Sequence, residues 1–249
     1  MREVLMVEGT WASSEHASPD QYGLLGDVAR RLDTSRLRPQ NIAYPADYGR
    51  HRSYAESKAA GVQATRTAIE RAERPVYLVG YSQGAAVAGA FTHHPNVART
   101  YLLADPHRPA GRYIGLLDPG GSGLAGAIDR AGLVHWLSAP GDVITCAPTD
   151  SLLRDIADFT PAMSPHLAPW LDNAIATLRS QTWQNAARRP WNAFEEFRRL
   201  REALRDAHGY LKGGRHTCYA DENVAGLHIT HTQWIAASMN YLARQENTA

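Results

Sequence analysis

Five residues constrain this chain more than any others: Gly80-Tyr81-Ser82-Gln83-Gly84, a Gly-x-Ser-x-Gly sequence. Val76 to Val79 before it is a short apolar run bounded by Pro75 and Gly80, which suits a buried parallel strand. Ala85 to Ala90 after it offers small side chains and good helix formers. Strand, Gly-x-Ser-x-Gly and helix in that order make a nucleophile elbow. A serine at such a turn sits in a strained backbone conformation with its hydroxyl displayed. The flanking glycines let strand and helix crowd together, and the helix N-terminus aims N–H groups at the reaction centre. The five-residue pattern alone also describes a glycine-rich turn with an inert serine. Its context favours a nucleophile.

A chain of 249 residues is long enough for one large α/β domain with an insertion, or for two small domains. A hydrophobic fraction of 44% is ordinary for a globular protein. No apolar run approaches the roughly 20 residues needed to span a bilayer. Arg2-Glu3 is followed at once by what reads as a core strand, so the expectation is a chain without a signal peptide, made in a cytoplasm. A net charge of +1 argues against a dedicated nucleic-acid binder. Arginines 188, 189, 198, 199, 201 and 205 are interleaved with Glu195, Glu196 and Glu202, which reads as a solvated helix face. Two cysteines are too few for a disulfide scaffold or a structural zinc site.

Read in order, Val4–Val7 is the first strand, ending in Glu8-Gly9-Thr10-Trp11. Tyr22 to Leu32 has helical spacing (Leu24, Leu25, Val28, Leu32). Asn41–Tyr44 reads as a second strand stopped by Pro45, and Ser53–Glu73 as a long amphipathic helix. The third strand is Val76–Val79, with a helix to about His93. Ala98–Ala104 and Leu133–Ser138 are the fourth and fifth, ending in Asp105-Pro106 and in Ala139-Pro140-Gly141-Asp142. Strands alternating with helices imply right-handed crossovers and a mostly parallel sheet covered on both faces. The strand pattern disappears from Thr149 to His208, which reads as three helices, an inserted block. Asn223 to Arg244 closes the chain as a helix with Leu227, Trp234, Ile235 and Leu242 on its core face.

A serine hydroxyl needs a histidine base, and the histidine needs an acid to fix its tautomer. In sheets of this kind the order is Ser, acid, His, on loops at the C-terminal end of the sheet. Asp142 follows the fifth strand after a Pro-Gly turn. Asp105, after the fourth strand, is the rival and reads more easily as a strand stop. Of the histidines beyond Asp142, His166 and His208 sit at helix ends, and His228 and His231 on the last helix. His216 lies in a loop after Gly213-Gly214, just before that helix, and is the candidate base. The oxyanion would take one N–H from Gln83 and one from the Gly9-Thr10 loop, where Thr10 could add its hydroxyl. An i,i+3 pair, His228 and His231, lacks an apparent third metal ligand.

These residues carry a family resemblance. Gly9-Thr10-Trp11, Tyr44-Pro45-Ala46, Tyr54-Ala55-Glu56-Ser57 with Gly61, the elbow, Gly141-Asp142 with Cys146, and Gly214-Arg215-His216-Thr217 with Tyr219 resemble the cutinase-like α/β-hydrolases. Among them the helical block between acid and base is most similar to the lysin B esterases of phages that infect mycobacteria. The resemblance implies a three-layer α/β-hydrolase fold with a mostly parallel five-stranded central sheet. Residues 1–148 and 209–249 would form the catalytic domain, and residues 149–208 a helical lid or linker. It implies a serine esterase cleaving the mycolic acid–arabinogalactan ester, with Ser82, Asp142 and His216 catalytic and Thr10 and Gln83 as oxyanion hole. Trp11, Tyr81, Trp170 and Trp183 would contact substrate, and Trp170, Trp183 and Trp191 would line the acyl groove, against the alternative of core packing for at least two of these three. No cofactor or metal is implied. The expected partner is a lipid ester of the cell envelope, met by a monomer at the mycolate layer after release, with neither nucleic acid nor a transmembrane segment. The alternatives are another cutinase- or lipase-type hydrolase, or a non-catalytic wall-binding protein on the same scaffold. Lysin B proteins often show His-Gly-Thr after the first strand, where this chain has Glu8-Gly9-Thr10. Finally, if Asp142 and His216 meet, their loops run side by side. Cys146 and Cys218 then come near enough for a possible disulfide, against the alternative of two free thiols in a reducing cytoplasm.

Overall fold

The computed structural model describes residues 1–48, 51–151, 153–154, 202, 205 and 214–246. The helical block expected at 149–208 therefore lies almost wholly outside the described residues. Five strands form one parallel sheet: β1 (Arg2–Val7), β2 (Leu37–Asn41), β3 (Val76–Tyr81), β4 (Val97–Leu103) and β5 (Val134–Leu137). Their order across the sheet is β2-β1-β3-β4-β5. The chain starts mid-sheet, runs outward to β2, then returns past β1 to build the other half. The order thus reverses between β1 and β3. In open α/β sheets the crevice at the carboxyl ends of two such strands is where ligands bind.

Both faces of the sheet are covered, and alternate residues serve each. Val4, Met6, Tyr77, Val79, Tyr101 and Leu103 face helices α1 (Gly26–Ala29) and α5 (His231–Gln245). Leu5, Val7, Val76, Leu78, Leu102 and Trp136 face α2 (Tyr54–Arg71) and α3 (Gln83–Ala88). This is the period-two alternation of a strand buried on both sides. Helix α2 begins where Ser53 caps it, with Glu56 reaching back to complete a capping box. A short helix α4 (Val143–Cys146) follows β5 and is capped by Asp142.

Three elements differ from the sequence expectation. The second strand is Leu37–Asn41, earlier than Asn41–Tyr44. Pro39 argues against a central strand, but β2 is an edge, where a missing N–H faces no partner. The first helix shrinks from Tyr22–Leu32 to Gly26–Ala29. Glu8 takes the N–H groups of Gly23 and Leu25 just before the helix, while the carbonyls of Gly23, Leu24 and Leu25 accept from Gly26, Asp27 and Ala29. The last helix starts at His231, not Asn223. Thr230 caps it in a box with Gln233, a Thr-x-x-Gln signal that apolar spacing alone overlooked. Its buried face is His231, Thr232, Ile235, Ala236, Met239 and Ala243. Leu227, Trp234 and Leu242 are only partly buried.

The elbow depends on two glycines. A Cβ on Gly84 would stand 1.9 Å from the Val7 carbonyl oxygen, and one on Gly80 would stand 2.4 Å from that of Gly84. Helix α3 thus lies directly on the end of β1. Gly84→Ala should cost about 3 kcal/mol or more, because backbone cannot yield as a side chain can. Chemical denaturation would read it, and a midpoint equal to the wild type would contradict this packing.

Candidate active site

Ser82 sits between β3 and α3 with φ 55° and ψ −118°, a left-handed conformation that L-residues rarely adopt. The surrounding ladder holds it there. Its N–H donates to the Leu103 carbonyl at 2.9 Å, and its own carbonyl accepts from Ala85 and Ala86 as α3 begins. The turn displays the Ser82 hydroxyl at the sheet's carboxyl end.

The structure brings His216 and Asp142 to that hydroxyl. His216 Nε2 lies 2.7 Å from Ser82 Oγ. His216 Nδ1 lies 3.0 and 3.1 Å from the two carboxylate oxygens of Asp142. An ionised carboxylate only accepts, so Nδ1 carries the proton and Nε2 is left to accept from the serine. Asp142 is completely buried and His216 nearly so. Two further groups hold the carboxylate: the Ile144 N–H and the Tyr219 hydroxyl at 2.5 Å. Tyr81 serves the base. Its ring stacks on His216 at 5.3 Å, and its hydroxyl donates to the His216 carbonyl at 2.6 Å. Tyr81 is buried, so its place is under the histidine and not along an open groove.

Asp105, the rival acid, is fully buried and occupied elsewhere. It accepts from Trp136 Nε1 at 3.1 Å and from the His107 N–H at 3.0 Å, and Arg130 lies 3.7 Å away. It acts as the strand stop that its Asp-Pro context suggested. His228 is exposed in the loop before α5. His231 is fully buried at the start of α5, with Nδ1 bonded to the Glu222 carbonyl, rather than on the surface. His166, His208, Trp170, Trp183 and Trp191 lie outside the described residues.

On the oxyanion side, Gln83 supplies the first N–H of α3, which has no partner inside the helix. The Gln83 side chain is buried and tied to the Asp47 carbonyl, so only its backbone faces the elbow. Gly9 packs against the elbow so tightly that a Cβ there would lie 3.2 Å from Ser82 Cβ. Thr10 follows it, half-buried. Trp11 is 57% exposed at φ 62°, held by its N–H to the Ala46 carbonyl. A large aromatic is thus kept in solvent on a strained backbone two residues beyond Gly9.

The possible Cys146–Cys218 bridge is not present; both thiols are free. The two loops do run side by side, but other groups join them. Arg215 pairs with Glu222 at 2.5 Å and also reaches the Pro140 carbonyl, while Tyr219 reaches Asp142. The sulfurs turn to local carbonyls, Cys146 to Ala139 and Cys218 to Arg215. Burial pushes both thiols up to about 12, well away from the thiolate. Behind the acid loop Arg108 is wholly buried and donates to the carbonyls of Thr145, Gly120 and Gly121. Of these supports, Tyr219 and Arg215 were visible beside His216 in the sequence, but nothing in the spacing assigned them a job.

Glu8, which stands where the lysin B proteins often have histidine, is fully buried. Its Oε1 accepts from Gly23 and Leu25 at 2.8 and 3.0 Å, and among the described residues Oε2 has no hydrogen-bond partner. Burial outweighs those N–H groups and lifts its carboxyl from 4.5 to about 7. A raised acid favours the fold in its protonated form. That stabilisation is complete below pH 4.5 and is lost as pH rises through 7, a change on the order of 3 kcal/mol. Glu8→Gln should therefore flatten the fall in stability between pH 5 and 8, read as denaturation midpoints. Parallel curves for the two proteins would contradict this assignment.

No family model and no curated protein matches the chain. Solved structures do. An acetylxylan esterase aligns at 19% identity with a TM-score of 0.46, over 72% of this chain and 97% of its own. Lysin B from Mycobacteriophage D29 aligns at 18% identity with a TM-score of 0.54, over 96% of this chain and 98% of its own. The parallel sheet, its strand order and the likeness to that lysin B along nearly the whole chain give it an α/β-hydrolase fold.

Proposed function

We propose that the chain is a serine esterase that cleaves the mycolic acid–arabinogalactan ester of mycolate-bearing cell walls. The observation that carries this reading is the hydrogen-bonded line from Ser82 through His216 to Asp142 at a strained elbow. In it, His216 Nε2 takes the hydroxyl proton as Ser82 Oγ attacks the ester carbonyl. Asp142 stabilises the imidazolium that forms. The N–H groups of Gln83 and of the loop at Thr10 receive the oxyanion. His216 then protonates the departing sugar alcohol, and a water repeats the sequence to free the acid from Ser82. The solvent-exposed Trp11, two residues beyond Gly9, suits an apolar or saccharide partner.

The choice of bond rests on the resemblance of the block between Asp142 and His216 to the lysin B group and on the agreement in fold with lysin B from Mycobacteriophage D29. Residues 149–208, with Trp170 and Trp183, would wall the acyl groove, and the protein would act as a monomer at the mycolate layer. Mass spectrometry of lipids released from mycolate-bearing walls tests the substrate. Free mycolic acids in excess over a Ser82→Ala control are expected. Turnover of small esters or triglycerides without mycolate release would point to another lipid esterase.

The two acids separate cleanly by mutation. Asp142→Asn should lower kcat on p-nitrophenyl butyrate by roughly 10²- to 10⁴-fold, because the histidine loses its orienting charge. Asp105→Asn should lower the denaturation midpoint far more than the rate. Reversed results would move the acid to the end of β4.

A further inference from the structure

We infer that Tyr219 is a positioning residue for Asp142, a fourth member of the relay acting through the acid. This rests on the esterase reading above.

The acid has an unusual set of neighbours. Asp142 is fully buried, and Tyr219, also fully buried, donates its hydroxyl to Oδ2 at 2.5 Å. The same phenol oxygen accepts from the Ala139 N–H at 3.3 Å, three residues before Asp142. Tyr219 therefore holds both the turn that carries the acid and the acid itself. A charge-assisted bond of that length is stronger than an ordinary neutral one. It leaves the carboxylate one orientation, with both oxygens toward His216 Nδ1.

The phenol is itself fixed. Its ring meets Tyr81 edge-on at 6.2 Å and His231 edge-on at 4.9 Å. Tyr81 is the residue stacked beneath His216, so one aromatic cluster supports acid and base together. Burial first, and then the neighbouring Asp142 charge, raise the Tyr219 hydroxyl well above its usual range, so it stays a donor throughout the working pH range. The titratable and charged groups around it are Asp142, His216, Tyr81, His231 and Cys146. Arg215, Glu222 and Cys218 stand one layer out, and Arg108 reaches Cys146 at 3.6 Å.

Two effects follow. The phenol spreads the carboxylate charge, so removing it makes Asp142 hold the imidazolium more strongly. It also stops the carboxylate rotating, so removing it misaligns the base. Tyr219→Phe keeps the ring packing and deletes only the hydroxyl. On p-nitrophenyl butyrate kcat should fall about ten- to a hundredfold with KM within twofold, and the low-pH limb of kcat/KM should move to higher pH. A purely structural hydroxyl would lower the denaturation midpoint and leave limb and kcat where they are. That result would overturn the inference. Wild-type enzyme in the same assay separates this from the reading it rests on. An inactive wild type removes both, whereas an active wild type matched by Tyr219→Phe removes only the role of Tyr219.

Discussion

The backbone at Ser82 is the constraint on which the rest depends. Its φ of 55° is unfavourable for any residue with a Cβ, and it persists because both sides of the turn are fixed. On one side β3 lies between β1 and β4, every residue buried. On the other, α3 starts so close to β1 that only glycine fits at position 84. The strain is thus held by burial and ladder bonds of the whole sheet, and it is what turns the hydroxyl out of the core. Since the strand order reverses between β1 and β3, the Gly9–Trp11 loop arrives beside that hydroxyl through topology alone.

Asp142 and His216, 74 residues apart, meet beside Ser82. Two loops so separated need a tether, and here it is polar. Arg215 bridges Glu222 and Pro140, Tyr219 holds Asp142, and Tyr81 holds the carbonyl of His216. The bonds of Tyr219 and Tyr81 are buried, where an unmade one costs the desolvation of its groups. The tether does without a covalent bridge, and it leaves Cys146 and Cys218 as protonated thiols with local carbonyl partners.

Much of this was legible in the sequence because local rules determine it. The elbow, four of the five strands and the capped start of α2 each carry a signal within a few residues. Ser82, Asp142 and His216 could be named because strand order limits where an acid and a base can stand. Apolar spacing alone starts the last helix too early, overlooking its local Thr-x-x-Gln cap, and other errors arose where a distant group or the topology overrides local preference. The first helix starts only at Gly26, and the N–H groups of Gly23 and Leu25 before it go to the Glu8 carboxyl, fifteen or more positions away. Pro39 lies in a strand because that strand is an edge, which is a fact of topology. Tyr81 looked like a groove residue because spacing does not reveal which side of an elbow faces the base loop. Tyr219 and Arg215 carry no local signal for their partners at all.

The most direct test of the account is the identity of the group that attacks. An activated alkyl phosphonate, a mimic of the tetrahedral intermediate, should add once to the native protein. Peptide mass spectrometry should place that adduct on Ser82, and Ser82→Ala should take up none. An adduct on another residue, or a native protein that stays unlabelled while it hydrolyses esters, would contradict the account.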